Sequence, residues 1–235
     1  MAHLLDSLPH ALKTYYALII AIFAFDGALL TFLAWAYHSP RFEPYRISMK
    51  LSMKTPGLKR MLNIAYIAVL SVVTVFAMTF LLFRYRLHSG PVSAPRAVFE
   101  VLSILLVYDF AYYWLHRVMH TTRGMRWVHG RHHEVRNPTA MESFYLTPIE
   151  MFAGLGLLCG VTSLLGPVSM YSFVAVFFIH STLNITVHSG LASASLLLWP
   201  VDRLTQKHYL HHAGSYDNNY ASLTPFWDNL FGTSA

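Results

Sequence analysis

The chain has 235 residues, 55% of them hydrophobic and only 12% charged, about half the charge of an ordinary water-soluble domain. That balance excludes a conventional soluble fold, and a single cysteine, Cys159, excludes a disulfide framework or a cysteine-rich zinc fold. Lys and Arg outnumber Asp and Glu by 17 to 11, but they lie in loops between apolar blocks, which points to membrane topology and lipid headgroups and not to nucleic acid.

A helix crossing the hydrocarbon core needs about 20 apolar residues. Residues 15–37, interrupted only by Asp26, and residues 61–83 meet that need. Residues 97–115 form a third span that carries Glu100 and Asp109 and ends in a run of aromatic residues suited to a membrane interface. From 149 to 188 the chain is again almost uncharged, and Gly166-Pro167 near its middle predicts a hairpin of two shorter helices. The expected fold is an all-α integral membrane protein with four to five membrane-embedded helices and a histidine-rich helical cap. Residues 1–96 supply the amino-terminal membrane helices and 97–235 the catalytic region of one structural domain. A cleavable leader ending near Ala34-Trp35-Ala36 is the rival reading of the first span, opposed by the length of the apolar run and by Asp26.

The loop charges orient these spans. Residues 38–60, 116–147 and 189–235 together hold 13 Lys and Arg, among them Arg41, Arg46, Lys50, Lys54, Lys59 and Arg60, against 4 in residues 1–14 and 84–96. The positive-inside rule puts the first set, and with it the cap, in the cytoplasm, at the inner membrane of a bacterium or the endoplasmic reticulum of a eukaryote.

Ten of the fourteen histidines lie between 116 and 212. His116 and His120 are an i, i+4 pair that a continuing helix places on one face. His129, His132 and His133 repeat the H-x-x-H-H spacing of His208, His211 and His212, and on a helix the first member of each box shares a face with the other two. His180, Asn184 and His188 recur every four residues on an otherwise apolar helix, a polar stripe that is costly in a membrane unless it serves a site. A lone histidine on such a helix is also commonly a hydrogen-bonded core residue, so His180 has two readings. His3, His10, His38 and His88 read as surface residues.

The H-E-x-x-H zinc-peptidase motif is absent, and eight or nine imidazoles exceed what one structural zinc needs. Two metal ions fit the number better. Neutral imidazoles leave the charge of two divalent cations to be offset by oxygen ligands or by nearby acids, for which Asp109, Glu134, Glu142, Asp217 and Asp228 are candidates. Asp109 leads because it precedes His116 by seven residues on the same helical face. A membrane metal transporter and a bis-histidine haem electron carrier are the alternatives. Adjacent pairs such as His132-His133 suggest a closed cluster instead of a transport path, and a haem needs only two histidines.

The second half of the chain resembles the fatty acid hydroxylase superfamily, which includes sterol desaturases. The resemblance rests on DFAYYWLHRVMH at 109–120, HGRHH at 129–133, HSG at 188–190, HYLHH at 208–212, and the residues Asn219, Tyr220 and WDNLFGT at 227–233. It implies a non-haem di-iron centre at the cytoplasmic ends of membrane helices that uses O2 and two electrons to hydroxylate or desaturate a lipid drawn from the bilayer. By the same resemblance His116, His120, His129, His132, His133, His188, His208, His211 and His212 match ligand positions, while Asn184 and His180 compete for a further place. Thr147 stands where members often have histidine before proline, and the haem-binding HPGG of a fused cytochrome b5 is missing. Electrons are therefore expected from a separate reductase, ferredoxin or cytochrome b5-like partner.

Overall fold

The computed structural model describes residues 9–48, 57–193, 195–214 and 216–235; His3, Lys50 and Lys54 lie outside them. Five long helices carry the apolar segments: α1 (His10–His38), α2 (Gly57–Tyr85), α3 (Ala94–Met119), α4 (Pro148–Leu165) and α5 (Met170–Val187). Each is long and apolar enough to cross a membrane. Helices α1 and α2 have 29 residues, about 43 Å, and overshoot the hydrocarbon core, whereas the 18-residue α4 and α5 reach about 27 Å. Gly166-Pro167 does separate the last two.

Local sequence fixes the boundaries. Pro95 and Pro148 sit in first turns, where a missing N–H costs nothing. Thr147 and Ser169 cap α4 and α5 by accepting the N–H of Glu150 and Tyr171. The third span is longer than the expected 97–115 at both ends, because Pro95 starts a helix well and nothing before His120 stops one.

Helix α5 is central, packed on α1, α3 and the later α6 (Trp199–Ala213), while α4 packs on α2 and α3. Tyr15, Ile19, Val75, Ile104, Tyr108, Leu158 and Phe173 from all five spans meet in one buried core. Large apolar side chains such as Leu62, Val69, Phe99 and Leu102 face outward, as a lipid-facing belt requires.

The two ends of the bundle differ. At one end strands β1 (Leu87–His88) and β2 (Val168–Ser169) pair in parallel, and Glu100 joins Arg96 to the Ser169 N–H. At the other end Arg60 meets the buried Glu142 at 2.8 Å, and the Ile47 N–H donates to the Gly190 carbonyl. This second end gathers the cationic loops, α6, the short α7 (Phe226–Phe231) and every histidine of the boxes.

Candidate metal centre

Nine imidazoles from four stretches of chain converge at that end. His116, His120, His129, His133 and His211 form one group and His132, His188, His208 and His212 a second, the donor atoms within each lying within 4.8 Å of one another. The groups adjoin: the His133 ring stacks on that of His212 with centroids 4.6 Å apart.

This partition corrects the expectation that each H-x-x-H-H box presents one face. In both boxes the i, i+4 pair serves one group and the middle histidine the other: His129 and His133 against His132, and His208 and His212 against His211. Adjacent residues on a helix point about 100° apart, so they cannot aim at a single ion. The second box lies on α6, but the first is not α-helical. A π-helical turn (Met125–His129) and a 3-10 turn (His132–Glu134) carry it. Gly130 permits the tight passage between them, since a Cβ there would collide with the Met125 carbonyl. His116 lies in the last turn of α3 and His120 is its cap residue, which brings that pair into one group as expected.

Hydrogen bonds settle which ring nitrogen is free. The Nδ1 atoms of His116, His188, His211 and His212 face the carbonyls of Tyr220, Asn184, Asn218 and Val135 at 2.8, 2.6, 2.6 and 2.9 Å. His132 Nδ1 faces the Tyr145 carbonyl at 3.3 Å. A carbonyl only accepts, so each of these rings carries its proton on Nδ1 and leaves a lone pair on Nε2. Those lone pairs point at one another: His116 to His211 at 3.2 Å, His132 to His188 at 3.1 Å and His132 to His212 at 3.1 Å. Apposed lone pairs repel unless a cation lies between them. Nitrogens bound at about 2.0–2.1 Å to one ion, at right angles, are themselves about 3 Å apart. Both nitrogens of His120 are buried without a partner. The residues present therefore fit metal ions.

Burial holds these imidazoles neutral. It pulls His129, His132, His133, His208, His211 and His212 well below the usual histidine range, with repulsion from neighbouring rings adding to it. Burial also brings His120 to about 3 and His188 to about 4. A neutral ring is the form that binds a metal.

The surrounding acids differ from those expected. His129 Nδ1 donates to Glu150 Oε1 at 2.8 Å, and Glu150 was not among the candidates. The only sequence signal for it is an acid in the first turn of an apolar helix next to the histidine-rich segment. Asp109 does not bond His116. Its carboxylate accepts the N–H groups of Ser222, Leu223 and Thr224 and the Thr224 hydroxyl, at 2.7–3.2 Å. Asp228 accepts the N–H groups of Tyr220 and Ala221 and the Thr233 hydroxyl. The two acids thus hold the loop whose Tyr220 carbonyl orients His116. Glu142 is occupied by Arg60 and the Thr139 cap, and Glu134 by the Tyr145 hydroxyl.

His180 joins neither group. Its Nε2 lies 2.8 Å from the Tyr108 hydroxyl, eight residues before His188 and about 12 Å along α5, so the ligand expectation does not hold for it. Asn184 contributes its carbonyl to His188 and is among the residues that line a cavity. That cavity, about 360 Å³, begins at His116, His129, His132, His188 and His208 and runs down between α1, α2, α4 and α5 past Leu30, Ile67, Val72 and Leu155.

A family model described as fatty acid hydroxylase matches residues 101–233. Methylsterol monooxygenase 1 of Rattus norvegicus is 31% identical over 146 residues, covering 59% of this chain and 48% of that protein. A Delta(7)-sterol 5(6)-desaturase of Leptosphaeria maculans is 26% identical over 219 residues, 90% of this chain and 57% of the relative. The very-long-chain aldehyde decarbonylase GL1-11 of Oryza sativa subsp. indica is 33% identical over 142 residues, 58% and 52% of the two chains. The chain spans about half the length of the curated relatives it matches. No solved structure matches it.

Proposed function

The chain belongs to the fatty acid hydroxylase family, and from that premise we propose that it is a membrane-bound non-haem di-iron oxygenase that uses O2 and two electrons to hydroxylate or desaturate a lipid. The observation that carries this reading is the pair of adjoining histidine groups, with their Nε2 lone pairs turned inward, at the mouth of an apolar cavity. Each group would hold one iron. When bound, the irons supply O2 activation and the one-electron steps that side chains cannot perform.

The chain's own residues do the rest. His116, His120, His129, His133 and His211 hold one ion, and His132, His188, His208 and His212 the other. Backbone carbonyls fix the rings of His116, His132, His188, His211 and His212, and Glu150 that of His129, by accepting a hydrogen bond from Nδ1. Glu150 also offsets part of the cationic charge. Walls from α1, α2, α4 and α5 keep water from the reacting carbon and admit a lipid chain from the bilayer. Asn184, which lines the cavity beside the second group, is placed to hold a water or a substrate group there. The cationic loops support a cytoplasmic position for this end, where a separate reductase, ferredoxin or cytochrome b5-like donor would supply the electrons.

The test is untargeted lipid mass spectrometry of cells with and without the chain, together with iron analysis of the purified protein. A lipid shifted by one oxygen or by two hydrogens, with about two irons per chain and no haem Soret band, is expected. Absence of any such lipid, or metal flux through liposomes, overturns the reading. Turnover by the purified chain with NAD(P)H alone would remove the separate donor.

A further inference from the structure

The cavity is apolar at its walls but not along its whole length. Away from the histidine groups it is also lined by Asp26 of α1, His180 and Ser181 of α5 and Tyr108 of α3. Asp26 is 7% exposed and accepts the Thr182 hydroxyl at 3.0 Å. Tyr108 and His180 are joined at 2.8 Å, and His180 Nδ1 is buried without a partner. The hydroxyls of Thr182 and Ser181 are still a small complement for a carboxyl group, which offers about four acceptor positions. An acid and an imidazole at the same depth inside a membrane bundle are costly to keep unless they serve a ligand or a pathway.

We propose that Asp26, with His180 and Tyr108 opposite, is a polar subsite that binds the hydroxyl group of a lipid alcohol and so sets which carbon reaches the histidine groups. Thr182 on α5 and His188, the cap residue that follows it, are six residues apart, about 9 Å along the helix axis. The subsite therefore selects a lipid whose hydroxyl lies about that far from the reacting carbon. A chain hydroxylated near one end and oxidised several carbons away satisfies this spacing. Reaction at the carbon next to the hydroxyl does not. Asp26 is a positioning residue in this scheme, and His180 leaves the ligand set to join it.

This inference rests on the oxygenase reading for the word "reacting", but its test does not need turnover. Binding of 1-hexadecanol and of n-hexadecane to the metal-loaded chain in lipid nanodiscs, with no electron donor present, is compared by native mass spectrometry. The wild type is expected to prefer the alcohol by about tenfold, the scale of one buried hydrogen bond. Asp26→Leu brings the ratio to about one, while Asp26→Asn, which still accepts from Thr182 and from a ligand, keeps most of it. The ratio does not depend on the folded fraction, because both probes occupy the same cavity. Equal binding of the two probes by the wild type, or an undiminished preference in Asp26→Leu, overturns the subsite. Loss of oxygenated product in cells with this preference intact would instead count against the oxygenase reading.

Discussion

Glu150 and His129 are joined by a buried hydrogen bond of 2.8 Å between Oε1 and Nδ1, and it is the one ring-to-carboxylate contact in the histidine groups among the described residues. The other Nδ1 protons that have partners go to backbone carbonyls. Glu150 is therefore the carboxyl group in direct contact with the histidine groups, and it reaches them from the first turn of α4, where the helix dipole also favours an acid. Glu150→Ala leaves the His129 ring unheld and is expected to weaken iron binding by roughly 10- to 100-fold. Glu150→Gln keeps an acceptor and should lose less. Iron retained per chain after dialysis against a graded chelator measures both.

The partition of the boxes makes a sharper prediction. His132→Ala removes a donor from the four-membered group and His211→Ala one from the five-membered group. Each should abolish oxygen-dependent product and lower bound iron. His38→Ala, a change at the end of α1, should do neither. Metal analysis and lipid product from the same preparations decide it, and full turnover in the His132 variant would refute the assignment.

Asp109 should act through the loop it holds. Asp109→Ala strands the buried Leu223 N–H together with the partly exposed N–H groups of Ser222 and Thr224 and the Thr224 hydroxyl, at a cost of about 3 kcal/mol, since hydrogen bonds to charged groups contribute about 1.5–3 kcal/mol each. The expected result is a lower unfolding temperature in detergent together with reduced iron occupancy, because the Tyr220 carbonyl no longer fixes His116. A variant with reduced iron and an unchanged unfolding temperature would contradict this account.

Cavity shape can be separated from metal binding at Gly27. It lines the cavity, and a Cβ placed there meets no atom within 4 Å. Gly27→Leu should therefore fold at least as well as the parent, helped by about 0.8–1 kcal/mol of helix propensity, while filling the lipid path. Iron content is expected to hold and lipid turnover to fall at least tenfold. Unchanged turnover would place the substrate path elsewhere.

Hydropathy and short-range spacing are local properties, and what they encode was readable in the chain itself. The five apolar helices, the Gly166-Pro167 break, the His116–His120 pair and the shared side of the cationic loops all appear where the sequence puts them. The two-group division of each H-x-x-H-H box did not follow from its spacing, because a helical period says which residues share a face but not which distant segment supplies the partners. For the same reason Asp109, seven residues from His116 on one face, proved to hold a loop more than a hundred residues away, and His180 turned to Tyr108. Glu150 drew no attention in sequence because its partner, His129, lies 21 residues away across a non-helical turn. Spans and ligand types are set by composition along the chain, whereas the aim of each ring is set by whichever carbonyl or carboxylate the packed bundle brings to its Nδ1.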